Sequence, residues 1–119
     1  MTSTNGWIDL KEHVPTENDG NPVLIWHVFQ GSMVVDYGKY GDNPFYVYWQ
    51  PIPDDEWIDP REQEPEKEDS DAWNCVLTHH SIYGYKVTGW HQVSASGAYT
   101  RWRRLPKPPP GHVELRKKY

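Results

Sequence analysis

Four side chains in the second half of the chain have the donor types that zinc prefers. Cys75, His79, His80 and His91 supply sulfur and imidazole ligands. Their spacing is not that of an established zinc motif, and adjacent residues such as His79 and His80 point to opposite faces of a strand. His80 also has a counterpart, His27, in the internal repeat described below, which favours a structural role. We therefore expect no metal site, and no part of the sequence indicates a cofactor.

A second group with potential chemistry is the acidic run Asp54-Asp55-Glu56, which offers paired carboxylates. The run is flanked by prolines, and no nucleophile is positioned beside it. Acid-base catalysis needs carboxyl groups whose pKa values are shifted in a cleft, and nothing in the sequence indicates such a cleft. The chain has neither a Gly-rich phosphate loop before a helix nor a nucleophile elbow. We predict that the protein is not an enzyme.

The run Arg101-Trp102-Arg103-Arg104 interleaves cations with an aromatic ring, as sites for single-stranded nucleic acids do. In a strand, Arg101 and Arg103 share one face, opposite Trp102 and Arg104. One interpretation is a solvated face above a core tryptophan. The other is a contact for a small phosphate-bearing ligand through Arg101, Arg103 and Arg104. A confined basic patch on an acidic protein disfavours long duplex DNA, which requires broad positive charge.

The net charge of −5 is distributed unevenly along the chain. Asp54 to Asp71 is strongly acidic, with only Arg61 and Lys67 against it, whereas Arg101 to Tyr119 is basic. Such a block is either a solvated loop with some internal pairing or a charged contact face for a partner protein. In the second interpretation, the partner-contact residues are Asp54, Asp55, Glu56, Glu64, Glu66, Glu68 and Asp69.

The elements that position these residues are expected to come from an internal repeat. Residues 7–15 align with residues 57–65, and residues 23–53 align without a gap with residues 76–106. We interpret the chain as a tandem duplication. Positions kept in both copies are then expected to build the module. Features found in only one copy are free to serve function. The matched pairs include Trp7/Trp57, His27/His80, Gly31/Gly84 and Trp49/Trp102.

Each copy is marginal as an independent fold, because a chain of about 50 to 60 residues buries only about 60% of its unfolded surface. We therefore predict one compact domain over residues 1–119. In it, repeat 7–53 and repeat 57–106 pack together with pseudo-twofold symmetry. Residues 107–119 would follow as a proline-rich exit and a basic tail.

β-Branched and aromatic residues between turn signals predict three strands in each copy. The expected fold class is all-β with minor helix, built from two similar antiparallel modules. Trp7 and Ile8 are expected to start a short edge strand or an anchoring turn, and a single helical turn could follow Trp7 and Trp57. The predicted main strands are residues 23–29, 33–40, 45–50, 75–82, 86–93 and 98–104.

Cysteine usage and hydropathy bear on location. The single cysteine, Cys75, cannot form an internal disulfide, and the first residues lack the features of a signal peptide. The longest apolar run, from Val23 to Phe29, is far shorter than the roughly 20 residues that span a bilayer. We expect a protein of the reducing cytoplasm with no membrane role.

A set of motifs spread over the chain suggests a family. Trp7-Ile8, Pro15 and Val23-Leu24 precede a closing motif, Thr100-Arg-Trp-Arg-Arg-Leu-Pro-Lys-Pro-Pro109, which is the most specific part. Together they resemble a family of small phage and prophage proteins catalogued as domain of unknown function 551, with its single module doubled. The first copy ends at Pro53 and lacks the proline-rich tail. The resemblance implies a bacteriophage or prophage accessory protein in the bacterial cytoplasm, and it carries over no catalytic residue.

These observations lead to three hypotheses about function. The first is a non-enzymatic phage accessory protein that binds a host protein and inhibits a defence or regulatory system, with acidic residues of the 54–71 segment contacting a basic patch. The second is a sponge for nucleotide-type ligands, with an aromatic pocket between the copies and phosphate contacts from Arg101, Arg103 and Arg104. The third is a structural or assembly role in the virion.

Overall fold

The fold is built almost entirely from β-strands. The computed structural model describes residues 6–16, 22–36 and 44–109. These residues form two antiparallel sheets, one short α-helix and one short 3-10 helix, which confirms the predicted all-β class with minor helix. The elements are β1 (Ile8–Asp9), β2 (Val23–His27), β3 (Gly31–Val35), β4 (Tyr46–Pro51), the 3-10 helix (Lys67–Asp69), β5 (Cys75–His80), β6 (Gly84–Gly89), α1 (Trp90–Ala95) and β7 (Tyr99–Arg103).

The chain divides into two compact units. The first unit comprises residues 1–53 and 106–119 and contains a four-stranded sheet in the order β1-β4-β2-β3. The second unit comprises residues 54–105 and contains a three-stranded sheet in the order β6-β5-β7. In the second unit, an isolated antiparallel β-bridge joins Ile58 to Trp102 of β7. The corresponding place in the first unit is taken by the pairing of β1 with β4. The tandem duplication and its pseudo-twofold packing stay predictions.

The core of the first unit forms around β2, whose residues are all buried. The sequence Val-Leu-Ile-Trp-His is a nearly continuous apolar run, as expected of a strand buried on both faces. Val23 and Ile25 pack against Trp49. The Nε1 atom of Trp49 donates a hydrogen bond to the backbone oxygen of His13 at 2.8 Å. The turn after β1 thereby satisfies an N–H group that would be costly to bury unpaired.

The core of the second unit forms around β5 in the same manner. Val76 and Val93 pack against Trp102. The Nε1 atom of Trp102 donates a hydrogen bond to the backbone oxygen of Gln63 at 2.8 Å. Trp102 is therefore a core residue, as one interpretation of the Arg-Trp-Arg-Arg run expected.

The hairpin between β2 and β3 closes around a histidine. The Nδ1 atom of His27 accepts hydrogen bonds from the backbone N–H groups of Phe29 and Gln30 at 3.1 and 3.2 Å. Gly31 follows with a φ of 77°, in the left-handed region that favours glycine. Because Nδ1 accepts both bonds, the ring proton of neutral His27 lies on Nε2.

The hairpin between β5 and β6 has the same construction. The Nδ1 atom of His80 accepts hydrogen bonds from the N–H groups of Ile82 and Tyr83 at 3.0 and 3.2 Å. Gly84 has a φ of 75°. His27 and His80 thus stabilise equivalent turns, which gives their alignment a structural basis.

Several predicted strand boundaries differ from the observed ones, most clearly at the end of β6. The predicted strand 86–93 ends at Gly89, because residues 90–95 form α1. The backbone N–H of Trp90 donates to Asn74 at 3.0 Å and Val93 packs in the core, so tertiary contacts override strand propensity here. In the first unit, β3 begins at Gly31 instead of residue 33 and ends at Val35, whereas residues 37–40 of the predicted strand lie outside the described residues.

The described part of the predicted proline-rich exit, residues 107–109, makes contacts in the first unit. The Nε1 atom of Trp7 donates a hydrogen bond to the backbone oxygen of Lys107 at 2.7 Å, and Pro109 is fully buried. Residues 106–109 are therefore part of the first unit. The remaining tail, residues 110–119, lies outside the described residues.

Candidate functional site

A buried arginine at the end of β7 holds the acidic turn at residues 54–56. The side chain of Arg103 is only 9% exposed, and its guanidinium donates to the backbone oxygen of Asp55 and to Asp55 Oδ1, the latter at 2.9 Å. A longer contact of 3.4 Å reaches Glu56. The side chains of Asp55 and Glu56 remain 75% and 76% exposed. Arg103 therefore fixes the backbone of the turn while its carboxylates face solvent.

The same turn contains a strained backbone conformation. Glu56 has a φ of 63°, a left-handed conformation that is unfavourable for a residue with a side chain. Such conformations persist where surrounding contacts impose them, and they are enriched at functional sites. The ion pair with Arg103 is one of the contacts that hold Glu56 in place.

The second half of the acidic segment is held by Arg104. Its guanidinium lies 2.7 Å from Asp69 Oδ1. The other oxygen of the Asp69 carboxylate accepts the backbone N–H of Glu66 at 2.9 Å, which closes the first turn of the 3-10 helix. One carboxylate thus joins Arg104 to the acidic segment and also orders the short helix.

Asp71 anchors the end of the acidic segment to β5. One of its carboxylate oxygens accepts the backbone N–H groups of Trp73 and Cys75, both at 2.9 Å. Burial raises the pKa of the Asp71 carboxyl, although these hydrogen bonds act in the opposite direction. Asp71 is a structural residue of the turn rather than part of an exposed acidic surface.

The three arginines proposed as a phosphate site do not converge on one point. Arg103 and Arg104 bond different carboxylates. The guanidinium of Arg101 lies 4.8 Å from the ring centroid of Trp57 and donates to the hydroxyl of Tyr85 at 2.7 Å. Arg101 is therefore held by a cation–π contact and a phenol. The interpretation of this strand face as solvated is also wrong for Arg103, because its guanidinium is buried and bonds acceptors of the acidic turn.

The predicted partner-contact residues fall into two groups. Asp55, Glu56 and Asp69 pair with arginines of the same unit. The others are exposed, and among the described residues no cationic side chain pairs with them; they are Asp54, Glu64, Glu66 and Glu68. Sequence reasoning treated the acidic segment and the arginine run as separate candidate sites, whereas the structure brings them together. The opposite charges of the two stretches were the only sequence signal for that pairing.

The residues with zinc-type donors serve other roles. The Nδ1 atom of His79 lies 2.7 Å from the hydroxyl oxygen of Thr100, whereas His80 holds the hairpin turn. Burial, together with the nearby Arg101 charge, lowers the pKa of His79. Burial raises the pKa of the Cys75 thiol. The part of the chain that the structure describes contains no group of three or more His, Cys, Asp or Glu residues suited to hold a metal ion.

Comparisons of the chain with protein-family models, curated proteins and solved structures found no match. The resemblance to the phage family, and the origin and cytoplasmic location that it implies, therefore stay predictions. Within residues 6–16, 22–36 and 44–109, no helix is long and apolar enough to cross a membrane.

Proposed function

We propose that the protein is a non-enzymatic binding protein whose acidic segment, residues 54–71, binds a basic surface of another protein. The observation that carries this proposal is the buried guanidinium of Arg103, which orders the exposed turn Asp54-Asp55-Glu56. A contact loop that is ordered before association loses less conformational entropy when its partner arrives. The internal ion pairs thereby support a role in binding as well as in folding.

The charge of the acidic segment indicates the chemistry of the partner. Asp54, Glu64, Glu66 and Glu68 are exposed and lack cationic partners among the described residues. A surface of one sign accelerates association with an oppositely charged surface and excludes partners of like charge. A basic protein surface, such as one that otherwise holds nucleic acid, fits this requirement. If the phage-family resemblance holds, the partner is a host protein of a defence or regulatory system.

The small-ligand hypothesis has weaker support. A phosphate group at Arg103 or Arg104 would have to displace a carboxylate that already bonds the guanidinium. Arg101 would have to leave its contacts with Trp57 and Tyr85. We therefore treat nucleotide binding as an outcome to be tested by thermal shift, since a specific ligand stabilises the fold by mass action.

The proposal is tested by affinity capture from bacterial lysate, with and without nuclease, using three forms of the tagged protein. The first is the unchanged chain. The second carries Asp54→Lys, Glu64→Lys and Glu68→Lys, which reverse exposed charges that pair with no cationic side chain of the described residues. The third is a control outside the acidic segment, Glu12→Lys, a single charge reversal at an exposed position of the first unit.

We expect one protein with a basic surface to be recovered in stoichiometric amount with the unchanged chain and with the Glu12→Lys control. Nuclease treatment should not release it, and the triple variant should lose it. Equal recovery by the triple variant at physiological salt would remove the proposal. Recovery that depends on nucleic acid would also count against a direct protein contact.

A further inference from the structure

A groove opens on the second unit between the turn at residues 59–64 and the segment that joins α1 to β7. Its volume is about 460 Å³, within the range typical of ligand sites. Val93 and Tyr99 contribute to the apolar part of its lining. Glu64, one of the exposed acidic residues, lies on its rim, so the groove adjoins the acidic segment.

The charge of the groove is set by Glu64. Arg61 does not supply a free cation, because its guanidinium donates to both carboxylate oxygens of Asp59, at 3.2 and 2.8 Å. These hydrogen bonds hold the pKa of the Asp59 carboxyl below its usual value, so the two residues form a neutral pair. No cationic side chain of the described residues pairs with Glu64. The groove therefore has a net negative charge.

The end of α1 borders the same groove. α1 ends at Ala95, its last turn contains no basic residue, and Ser94 and Ser96 beside that end line the groove. A cationic group is therefore the complement of the Glu64 carboxylate.

We propose that this groove receives an arginine or lysine side chain of the partner protein. The aliphatic stem of such a side chain would pack on Tyr99, while its charged end would meet Glu64. This inference rests on the proposed function, because it specifies how the acidic segment recognises a basic partner. A bound arginine or lysine side chain would use both the apolar lining and the charge of the groove. Attraction between two charged surfaces alone would need no apolar groove.

The sequence comparison between the units supports a specific role for Glu64. Val14 occupies the aligned position in the first unit, and Asp9 and Lys11 align with Asp59 and Arg61. The Asp59–Arg61 arrangement thus has a counterpart of similar chemistry, whereas the carboxylate of Glu64 does not. A feature confined to one unit is free to serve recognition.

The test uses a ten-residue synthetic peptide in which arginine and glycine alternate, and a control peptide with glutamate in place of arginine. Binding to the isotope-labelled full chain is followed residue by residue by NMR. We expect the arginine peptide, and not the glutamate peptide, to shift the amide signals of residues 59–64 and 93–100. Shifts confined to residues 54–56 and 66–69 would overturn the groove inference and leave the proposed function standing.

Two charge variants separate the groove from the rest of the acidic segment. Glu64→Lys and Glu68→Lys make the same change in net charge, but only Glu64 lines the groove. We expect Glu64→Lys to weaken peptide binding about tenfold and Glu68→Lys about twofold, because only Glu64 can contact the bound side chain directly and an exposed charge outside the groove acts through screening solvent. Equal losses would overturn the inference. Binding unaffected by both variants would contradict the proposed function as well.

Gly97→Trp is a steric test that leaves all charges in place. A Cβ built at Gly97 has no heavy atom within 4 Å, so a larger side chain can be accommodated on the groove lining. We expect this variant to lose the shifts of residues 93–100 while the amides of residues 54–56 still respond weakly. Retention of full affinity by a folded Gly97→Trp chain would overturn the inference.

Discussion

Both units secure their core tryptophan in the same way, yet the residues around it differ. Trp49 and Trp102 each donate an indole N–H to a backbone oxygen of an earlier turn, at 2.8 Å in both cases. The turns themselves match, since the carbonyl oxygens of Asp9 and Asp59 each accept two N–H groups, at distances between 2.9 and 3.0 Å. These shared contacts require no particular charge on the neighbouring side chains.

The difference lies along β4 and β7. In the first unit, Tyr48, Gln50 and Pro51 occupy the positions that align with Arg101, Arg103 and Arg104. The arginines of the second unit bond an aromatic pair and two parts of the acidic segment. One sheet framework thus carries uncharged side chains in one unit and a network of cations and carboxylates in the other. Under the proposed function, the second unit is the one that binds the charged partner.

Removing either core tryptophan tests whether the two frameworks are energetically equivalent. Trp49→Ala and Trp102→Ala should each lower the free energy of unfolding by about 4 kcal/mol, because each removes a fully buried ring. The measurement is urea unfolding followed by circular dichroism. Trp49→Phe and Trp102→Phe, which keep an aromatic ring but lose the indole hydrogen bond and part of the buried volume, provide the comparison if the alanine variants do not fold. A difference of several kcal/mol between the two phenylalanine variants would contradict the equivalence.

Arg103→Gln transfers the aligned residue of the first unit into the second. We expect a loss of about 2 kcal/mol of folding free energy, because charge-assisted hydrogen bonds to the acidic turn disappear. Hydrogen exchange should accelerate at residues 54–56 and stay unchanged around Trp49. Arg103→Lys is the matched control, since it keeps the charge but loses the planar fork of donors. Unchanged exchange at residues 54–56 in Arg103→Gln would show that Arg103 does not order the turn.

The sequence was sufficient to predict the parts of the fold that have local signals. β-Branched and aromatic residues between turn signals such as Gly31 located the strands, and the aligned tryptophans Trp49 and Trp102 indicated the core. The pairing of Arg103 with Asp55 was not predicted, because 48 residues separate them and no local pattern specifies so distant a contact. α1 was missed for a similar reason: Trp90 and Val93 suit a strand locally and become helical through contacts made with β5 and its preceding turn.

The smallest expected effect on folding free energy is at the hairpin between β2 and β3, and it depends on pH. Burial lowers the pKa of His27 below the ordinary value of 6.5. The folded state therefore binds this proton less readily than the unfolded state does, so the contribution of neutral His27 is complete above about pH 6.5. It is lost as the pH falls through the pKa of the folded state, because a proton on Nδ1 removes the acceptor for Phe29 and Gln30.

Two variants isolate this contribution. His27→Ala should cost about 1 kcal/mol of folding free energy at pH 8, since it removes both hydrogen bonds. His27→Asn keeps a side-chain oxygen that can accept from the turn and does not titrate. The advantage of the unchanged chain over His27→Asn should therefore narrow between pH 7 and pH 5 in urea unfolding. A constant difference over that range would show that the turn does not depend on neutral His27, and would leave glycine as the feature that both hairpins require.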